Sequence, residues 1–174
     1  PAILWLWFWL KGEDDTDDPE PRGLIALCFI IGAIMVIGAI WLEKLSLPYL
    51  GERTMQIIAW ASIEEILKLI GVALIVFGNS NLDRPIDYPM YFIAVALGFA
   101  AFENVLYLIQ PLETSGTIVG MMTGNLRFLG STLLHAIASA MIGSALGLSF
   151  YTQRYRSFYL FFGLLCAIVL HSIF

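Results

Sequence analysis

Two adjacent carboxylates and a lysine interrupt an otherwise apolar run: Trp60-Ala-Ser-Ile-Glu64-Glu65-Ile-Leu-Lys68-Leu-Ile-Gly-Val-Ala-Leu. A membrane-spanning helix excludes such groups unless they face a polar interior, because each costs about 2.5–3.5 kcal/mol at the bilayer centre. Three more ionisable residues lie within apolar stretches, Glu103, His135 and His171. Carboxylates and imidazoles around a buried watery site suit general acid–base chemistry. A glutamate in low dielectric gains basicity and takes a proton from water as that water attacks a carbonyl, while a histidine polarises the water or protonates a leaving amine. No Ser or Cys stands beside a His in a nucleophile-elbow pattern, and His-Glu-x-x-His is absent. Glu64, Glu103, His135 and His171 form an alternative set of zinc ligands, so metal-assisted hydrolysis stays open, although a metal-free site is favoured.

Spacing refines the assignment. Glu64 and Lys68 are four apart and share a helix face; Glu65 and Lys68 are three apart. The lysine therefore holds one carboxylate ionised and leaves the other for chemistry. Glu103 has Phe99 one turn before it, Tyr107 one turn after it and Asn104 alongside. His135 sits in a four-spaced row with Ser131, Ser139, Gly143 and Gly147, whose small side chains let a neighbouring helix approach closely. Trp60, Tyr107 and Ser139 are by type more often packing residues than catalytic ones. Gly143 and Gly147 read as packing, and Arg154 and Arg156 as interface anchors.

The elements that must position these groups are long apolar helices. Of the 174 residues, 59% are hydrophobic and 13% charged; mean hydropathy is +0.82. A soluble domain carries about a quarter charged residues. The expected fold is all-α, a polytopic transmembrane bundle of about five full spans plus a partial N-terminal helix. Spans of about 20 residues fit Leu24–Leu42, Thr54–Phe77, Pro89–Ile109 (ended by Pro111), Leu126–Tyr151, and a last one from Ser157 that is still apolar at Phe174. The connection Pro111–Asn125 contains apolar Thr117–Met122, either a short helix over a cavity or a surface loop. The net charge of −5 comes largely from the loop Glu13–Glu20 and implies no nucleic-acid partner. Cys28 and Cys166 lie in apolar segments and read as free thiols. No initiator Met is present, so the chain reads as part of something longer, with 1–10 a partial helix, 11–23 an acidic loop and 24–174 a single integral-membrane domain. Lys/Arg counts lean towards odd-numbered connections in the cytoplasm.

Depth follows from a helical rise of ~1.5 Å per residue. Glu64 lies about 15 Å from one face, Glu103 and His135 about 12 Å from the same face, and His171, entering from the other, arrives at about the same layer. Four groups on four helices are expected to converge.

Glu64-Glu65-x-x-Lys68, then Phe99-x-x-x-Glu103-Asn104, then His135-x-x-x-Ser139, then late His171, resembles the PrsW family of intramembrane proteases. That family is grouped with the CAAX prenyl endopeptidases and bacteriocin-processing enzymes, whose wider pattern is Glu-Glu-x-x-x-Arg, Phe-x-x-x-His and His-x-x-x-Asn. Here Lys68 comes one position earlier, and Glu103 replaces a histidine; both departures are those of the PrsW branch. The resemblance covers Trp60 to Phe174. It implies a glutamate-dependent protease of a prokaryotic plasma membrane that cuts membrane-anchored proteins, for example an anti-sigma factor. Residue by residue, it implies Glu64 or Glu65 as general base, Glu64 preferred, with Lys68 neutralising the second carboxylate. Glu103, His135 and His171 would bind the water or stabilise the tetrahedral intermediate, and Phe99, Asn104 and Ser139 would support them. The position four after His171, expected to supply an oxyanion donor, lies past Phe174. The competing classes are a proton-coupled transporter, disfavoured by the lack of internal repeats, and an inactive scaffold that binds other helices.

Overall fold

The computed structural model describes residues 2–13 and 19–174. Six α-helices account for most of them: α1 (Ala2–Glu13), α2 (Arg22–Ser46), α3 (Arg53–Ile75), α4 (Asp87–Leu129), α5 (Ser131–Leu148) and α6 (Arg156–Ile173). Short 3₁₀ turns at Leu47–Tyr49 and Gln153–Tyr155 precede α3 and α6. Gly78, at φ 88°, supplies the left-handed residue past the end of α3. Among the described residues, four segments are long and apolar enough to cross a membrane: Arg22–Tyr49, Asp87–Ile109, Ser131–Leu148 and Gln153–Ile173. Helix α3 has 23 residues. What sets it apart from those four is the group Glu64, Glu65 and Lys68.

The outward faces are those of a helical membrane protein. On α2, Ile30, Ile34, Ile37 and Trp41 are exposed at three- and four-residue spacing, while Ile25, Cys28, Gly32, Val36 and Ala39 are buried. On α6, Phe158, Phe161, Phe162 and Leu165 face outwards, with Gly163 and Ala167 turned in. Lipid is as apolar as the side chains it meets, so outward phenylalanine and isoleucine carry no hydration penalty, and small residues mark the inter-helix faces.

Helix α4 is the centre of the bundle, packed against α2 on one side and α5 on the other; α6 lies against α5 and α3, and α3 against α2. The core is built on Tyr91, Phe92, Leu97 and Phe99 of α4 with Ile142 and Leu146 of α5. Backbones touch where glycine allows it. A Cβ on Gly32 would lie 2.0 Å from the Val95 carbonyl oxygen, and one on Gly98 would lie 1.8 Å from that of Phe29. The small-residue row on α5 is a seam of the same kind: a Cβ on Gly143 would meet the Pro89 backbone at 2.5 Å, and one on Gly147 the Pro85 carbonyl at 2.4 Å.

Three boundaries differ from the sequence expectation. Pro111 does not end a helix; α4 continues to Leu129 and the break falls at Gly130. Proline removes one hydrogen bond and bends a helix, but the ladder on either side of it survives. The connection expected at 111–125 is therefore helical; whether its side chains cover a cavity lies outside the described residues. The acidic loop is shorter than expected, since α1 runs to Glu13. Residues 14–18 of its charged run lie outside the described residues. Glu20 is not a solvated loop charge but is buried. Both cysteines are free.

Candidate active site

Four helices each deliver part of one polar cluster. Helix α3 brings Glu64, Glu65 and Lys68, α4 brings Glu103, α5 brings His135 and Ser139, and α6 brings His171. Glu65, Lys68, His135 and Ser139 are buried, and Glu64, Glu103 and His171 nearly so.

Lys68 is the hub. Its Nζ donates to Glu65 Oε1 at 2.6 Å and to His135 Nδ1 at 2.7 Å. An ammonium has donors only, so Nδ1 of His135 must accept. The ring proton of neutral His135 then sits on Nε2, which donates to Glu103 Oε2 at 2.9 Å. His171 takes the other tautomer. Its Nδ1 donates to Glu65 Oε1 at 2.8 Å, and its Nε2 lone pair faces Glu64. Phe99 floors the cluster, its ring centroid 4.8 Å from Lys68 Nζ and 5.5 Å from the His135 ring; the two imidazoles meet edge-on at 4.9 Å.

Glu64 stands apart. Its Oε2 is buried, has no hydrogen-bond partner, and lies 3.8 Å from both His135 Nδ1 and His171 Nε2. That separation is too long for a direct hydrogen bond, and because Lys68 already takes the His135 Nδ1 lone pair, only His171 Nε2 is open to a group bridging to Glu64. On its other side Glu64 borders a cavity of about 650 Å³ between α2, α3 and α4, shared with Trp60, Phe99, Glu103 and, on α2, Glu43 and Lys44.

Of the two pairings the spacing allowed, the structure has the three-residue one: Lys68 holds Glu65 and not Glu64. Ser139 Oγ reaches Glu65 Oε2 only at 3.5 Å. Asn104 points elsewhere. Its side chain donates to Thr132 Oγ1 at 2.9 Å and ties α4 to α5. Sequence reasoning passed over Ser131 as a partner of Glu103, at 3.4 Å, although it had placed Ser131 one turn before His135. It also missed a second polar cluster, in which Glu20 accepts from Tyr91 and Arg84 while Arg84 also bonds Asp87 at 3.1 Å. Glu20, Asp83 and Asp87 lie close enough together to bind a cation, but the Arg84 guanidinium already occupies the space between them as their counter-charge.

Comparison with known proteins gives the family. The family model described as "PrsW family intramembrane metalloprotease" matches residues 20–174. The chain belongs to the PrsW family. Among curated relatives, the protein "Protease PrsW" of Geobacillus kaustophilus is 26% identical over 178 residues, covering all of this chain and 74% of the relative. That of Halalkalibacterium halodurans is also 26% identical, over all of this chain and 78% of the relative. The Bacillus subtilis protein is 29% identical over 84% of this chain and 64% of the relative. No solved structure matches the chain. Family and relatives make the protein a peptidase of the hydrolase class and an integral membrane protein.

The family description raises a metal. Glu64, His135 and His171 present ligand atoms within 4.8 Å of one another, and two histidines with one glutamate form a zinc-type donor set. His171 suits the role, since its far nitrogen is anchored on a carboxylate and its near one presents a lone pair. His135 does not. The nitrogen it would offer already accepts from the Lys68 ammonium at 2.7 Å. A divalent cation there would displace that bond and sit against a buried positive charge. The residues as arranged do not fit a metal.

Proposed function

We propose that this protein is a single-domain intramembrane endopeptidase that hydrolyses peptide bonds of membrane-anchored proteins by carboxylate and imidazole activation of water, without a metal. The observation that supports it is the buried, unpartnered Oε2 of Glu64, 3.8 Å from two imidazole nitrogens. A water in that space would donate one proton to Glu64 and be oriented by the His171 Nε2 lone pair. Glu64 takes the proton as the water oxygen bonds to the scissile carbonyl carbon, forming a tetrahedral oxyanion. Breakdown splits the C–N bond, and the proton held by Glu64 passes to the departing amine, leaving a free carboxylate and a free amine.

The other residues set this up. Glu65 stays ionised between Lys68 and His171 and fixes the His171 ring. Lys68 fixes the His135 tautomer, and Glu103 receives its Nε2–H; the Lys68–His135 pair supplies positive charge near the developing oxyanion. Glu64, Glu65, Glu103, His135 and His171 are thereby the proposed catalytic set, with Lys68, Phe99 and Ser139 in support. Asn104 contributes through the α4–α5 contact. We extend the assignment to the wider group of CAAX and bacteriocin-processing proteases, to a prokaryotic plasma membrane, and to substrates such as membrane-anchored anti-sigma factors.

The test is reconstitution of the purified protein with single-pass membrane proteins in lipid vesicles, with fragments read by mass spectrometry. Wild-type protein cuts a subset, and Glu64→Gln cuts the same substrates at least about 100-fold more slowly. Absence of fragments from every substrate with the folded wild-type protein, or equal cutting by Glu64→Gln, would overturn the proposal.

A further inference from the structure

Trp60 lines the α2–α3–α4 cavity together with Glu64, and its indole Nε1, like the Glu64 Oε2, is buried and has no hydrogen-bond partner. Trp60 and Glu64 are four residues apart on α3, so they share a face and stand about 6 Å apart along its axis. An indole N–H can only donate. An indole N–H with no partner in the protein, on a residue that lines a cavity, is a donor left for whatever the cavity holds. Phenylalanine would fill the same wall without the orphan. Trp60 also lies on the Arg53 side of Glu64, towards the Glu43 and Lys44 part of the cavity lining. A chain entering from that end meets the indole before it meets the carboxylate.

The ligand class follows from the spacing. In an extended peptide, carbonyls on one side recur every second residue, at roughly 6.6 Å, close to the axial offset between Trp60 and Glu64. We infer that the Trp60 indole N–H is a substrate-binding donor for a backbone carbonyl of an extended peptide segment lying in the α2–α3–α4 cavity, two residues from the bond presented to Glu64. The inference rests on the hydrolase reading above and names how the same site holds its substrate. The indole N–H is buried in the structure, so this contact requires its edge to be uncovered by the entering segment. Sequence-independent recognition of the main chain results, with the bond to be cut held in register along α3.

The probe is a fluorescein-labelled peptide with one alanine/leucine spanning helix and an extended polar tail, in phosphatidylethanolamine/phosphatidylglycerol vesicles. Trp60→Phe is expected to raise KM about 3- to 10-fold, the worth of one neutral hydrogen bond, with kcat little changed and the thermal midpoint not lowered. A second readout uses Glu64→Gln protein labelled with ¹⁵N-tryptophan, where saturating peptide is expected to shift the Trp60 indole N–H resonance, assigned by its loss in Trp60→Phe or Trp60→Tyr. Unchanged KM in a folded Trp60→Phe, or a resonance that the peptide does not move, overturns the inference while leaving proteolysis intact. If wild-type protein binds the peptide and shifts the resonance but never cuts, the hydrolase reading fails and the binding role of Trp60 stands.

Discussion

The Lys68 ammonium donates to His135 Nδ1 across 2.7 Å, joining a residue of α3 to one on α5 sixty-seven positions later. The same group bonds Glu65, so one buried cation sets both a carboxylate charge and an imidazole tautomer. Lys68→Met should strand Glu65 and free the His135 ring. Breaking a buried ion pair from one side costs about 3–5 kcal/mol, and cleavage should fall by about 100-fold or more as both partners lose their geometry. Denaturant titration in detergent and initial cleavage rates measure the two effects. A stable, fully active Lys68→Met would show that the hub is dispensable.

Glu64 and Glu65 are neighbours with opposite expected phenotypes. Glu64→Gln removes the general base, for a loss of about 10²–10⁴ in rate. The fold should not notice, because Glu64 Oε2 bonds to nothing in the protein. Glu65→Gln should lose both activity and stability, since Glu65 pairs with Lys68 and His171. Thermal midpoints of the two variants side by side decide it; an equal fall in both would contradict the division of labour.

Metal removal should leave the rate unchanged. Dialysis against EDTA followed by assay in vesicles is the measurement. The expectation follows from Lys68, whose ammonium holds the nitrogen a metal would need. Activity that is lost on dialysis and restored by zinc would reverse it.

The α2–α4 crossing should be intolerant of a single methyl group. Gly98→Ala places a carbon 1.8 Å from the Phe29 carbonyl oxygen, and Gly32→Ala does the same against Val95 at 2.0 Å. Each should cost about 1–3 kcal/mol by overpacking and lower activity as well, because Gly98 lies just over one turn before Glu103 on the same helix. Gly23→Ala, with nothing within 4 Å, is the matched control and should be neutral.

At the other polar cluster, burial raises the Glu20 carboxyl above its ordinary 4.5, with the Asp87 charge adding to it and the hydrogen bonds from Tyr91 and Arg84 opposing it. The native state therefore holds a proton that the unfolded chain gives up at lower pH. Stability on this account falls as pH rises from 4.5 through the raised value. Glu20→Gln should flatten that slope while still accepting from Tyr91. Thermal midpoints of both proteins across pH 4.5 to neutral check it; parallel curves would remove Glu20 as the cause.

That these polar groups gather in one layer was legible in the sequence, for a physical reason. Lipid makes each ionisable residue expensive, so the few that remain mark a polar interior, and a regular rise per residue sets their depth. Glu64, Glu103, His135 and His171 were placed in one layer this way, and the structure puts them in one cluster. Periodicity likewise exposed the glycine seam of α5. Helix boundaries were less legible. Proline at 111 suggested a stop, yet the ladder continues and glycine at 130 makes the break. Glu20 looked like one more charge in an acidic loop because its partners, Tyr91 and Arg84, lie more than sixty residues away.

By itself the sequence determined that this is a helical membrane protein with acids and imidazoles drawn into its interior, because the insertion cost of charge is a local property of each helix. Tertiary structure alone decided which carboxylate Lys68 holds, which nitrogen of each histidine carries its proton, and that Glu64 Oε2 and Trp60 Nε1, on two residues lining one cavity, are left without hydrogen-bond partners. Those outcomes depend on where α4, α5 and α6 bring their side chains against α3. The close backbone contacts at Gly32, Gly98 and Gly143 set how near those helices come, and an ångström more or less exchanges a hydrogen bond for a gap.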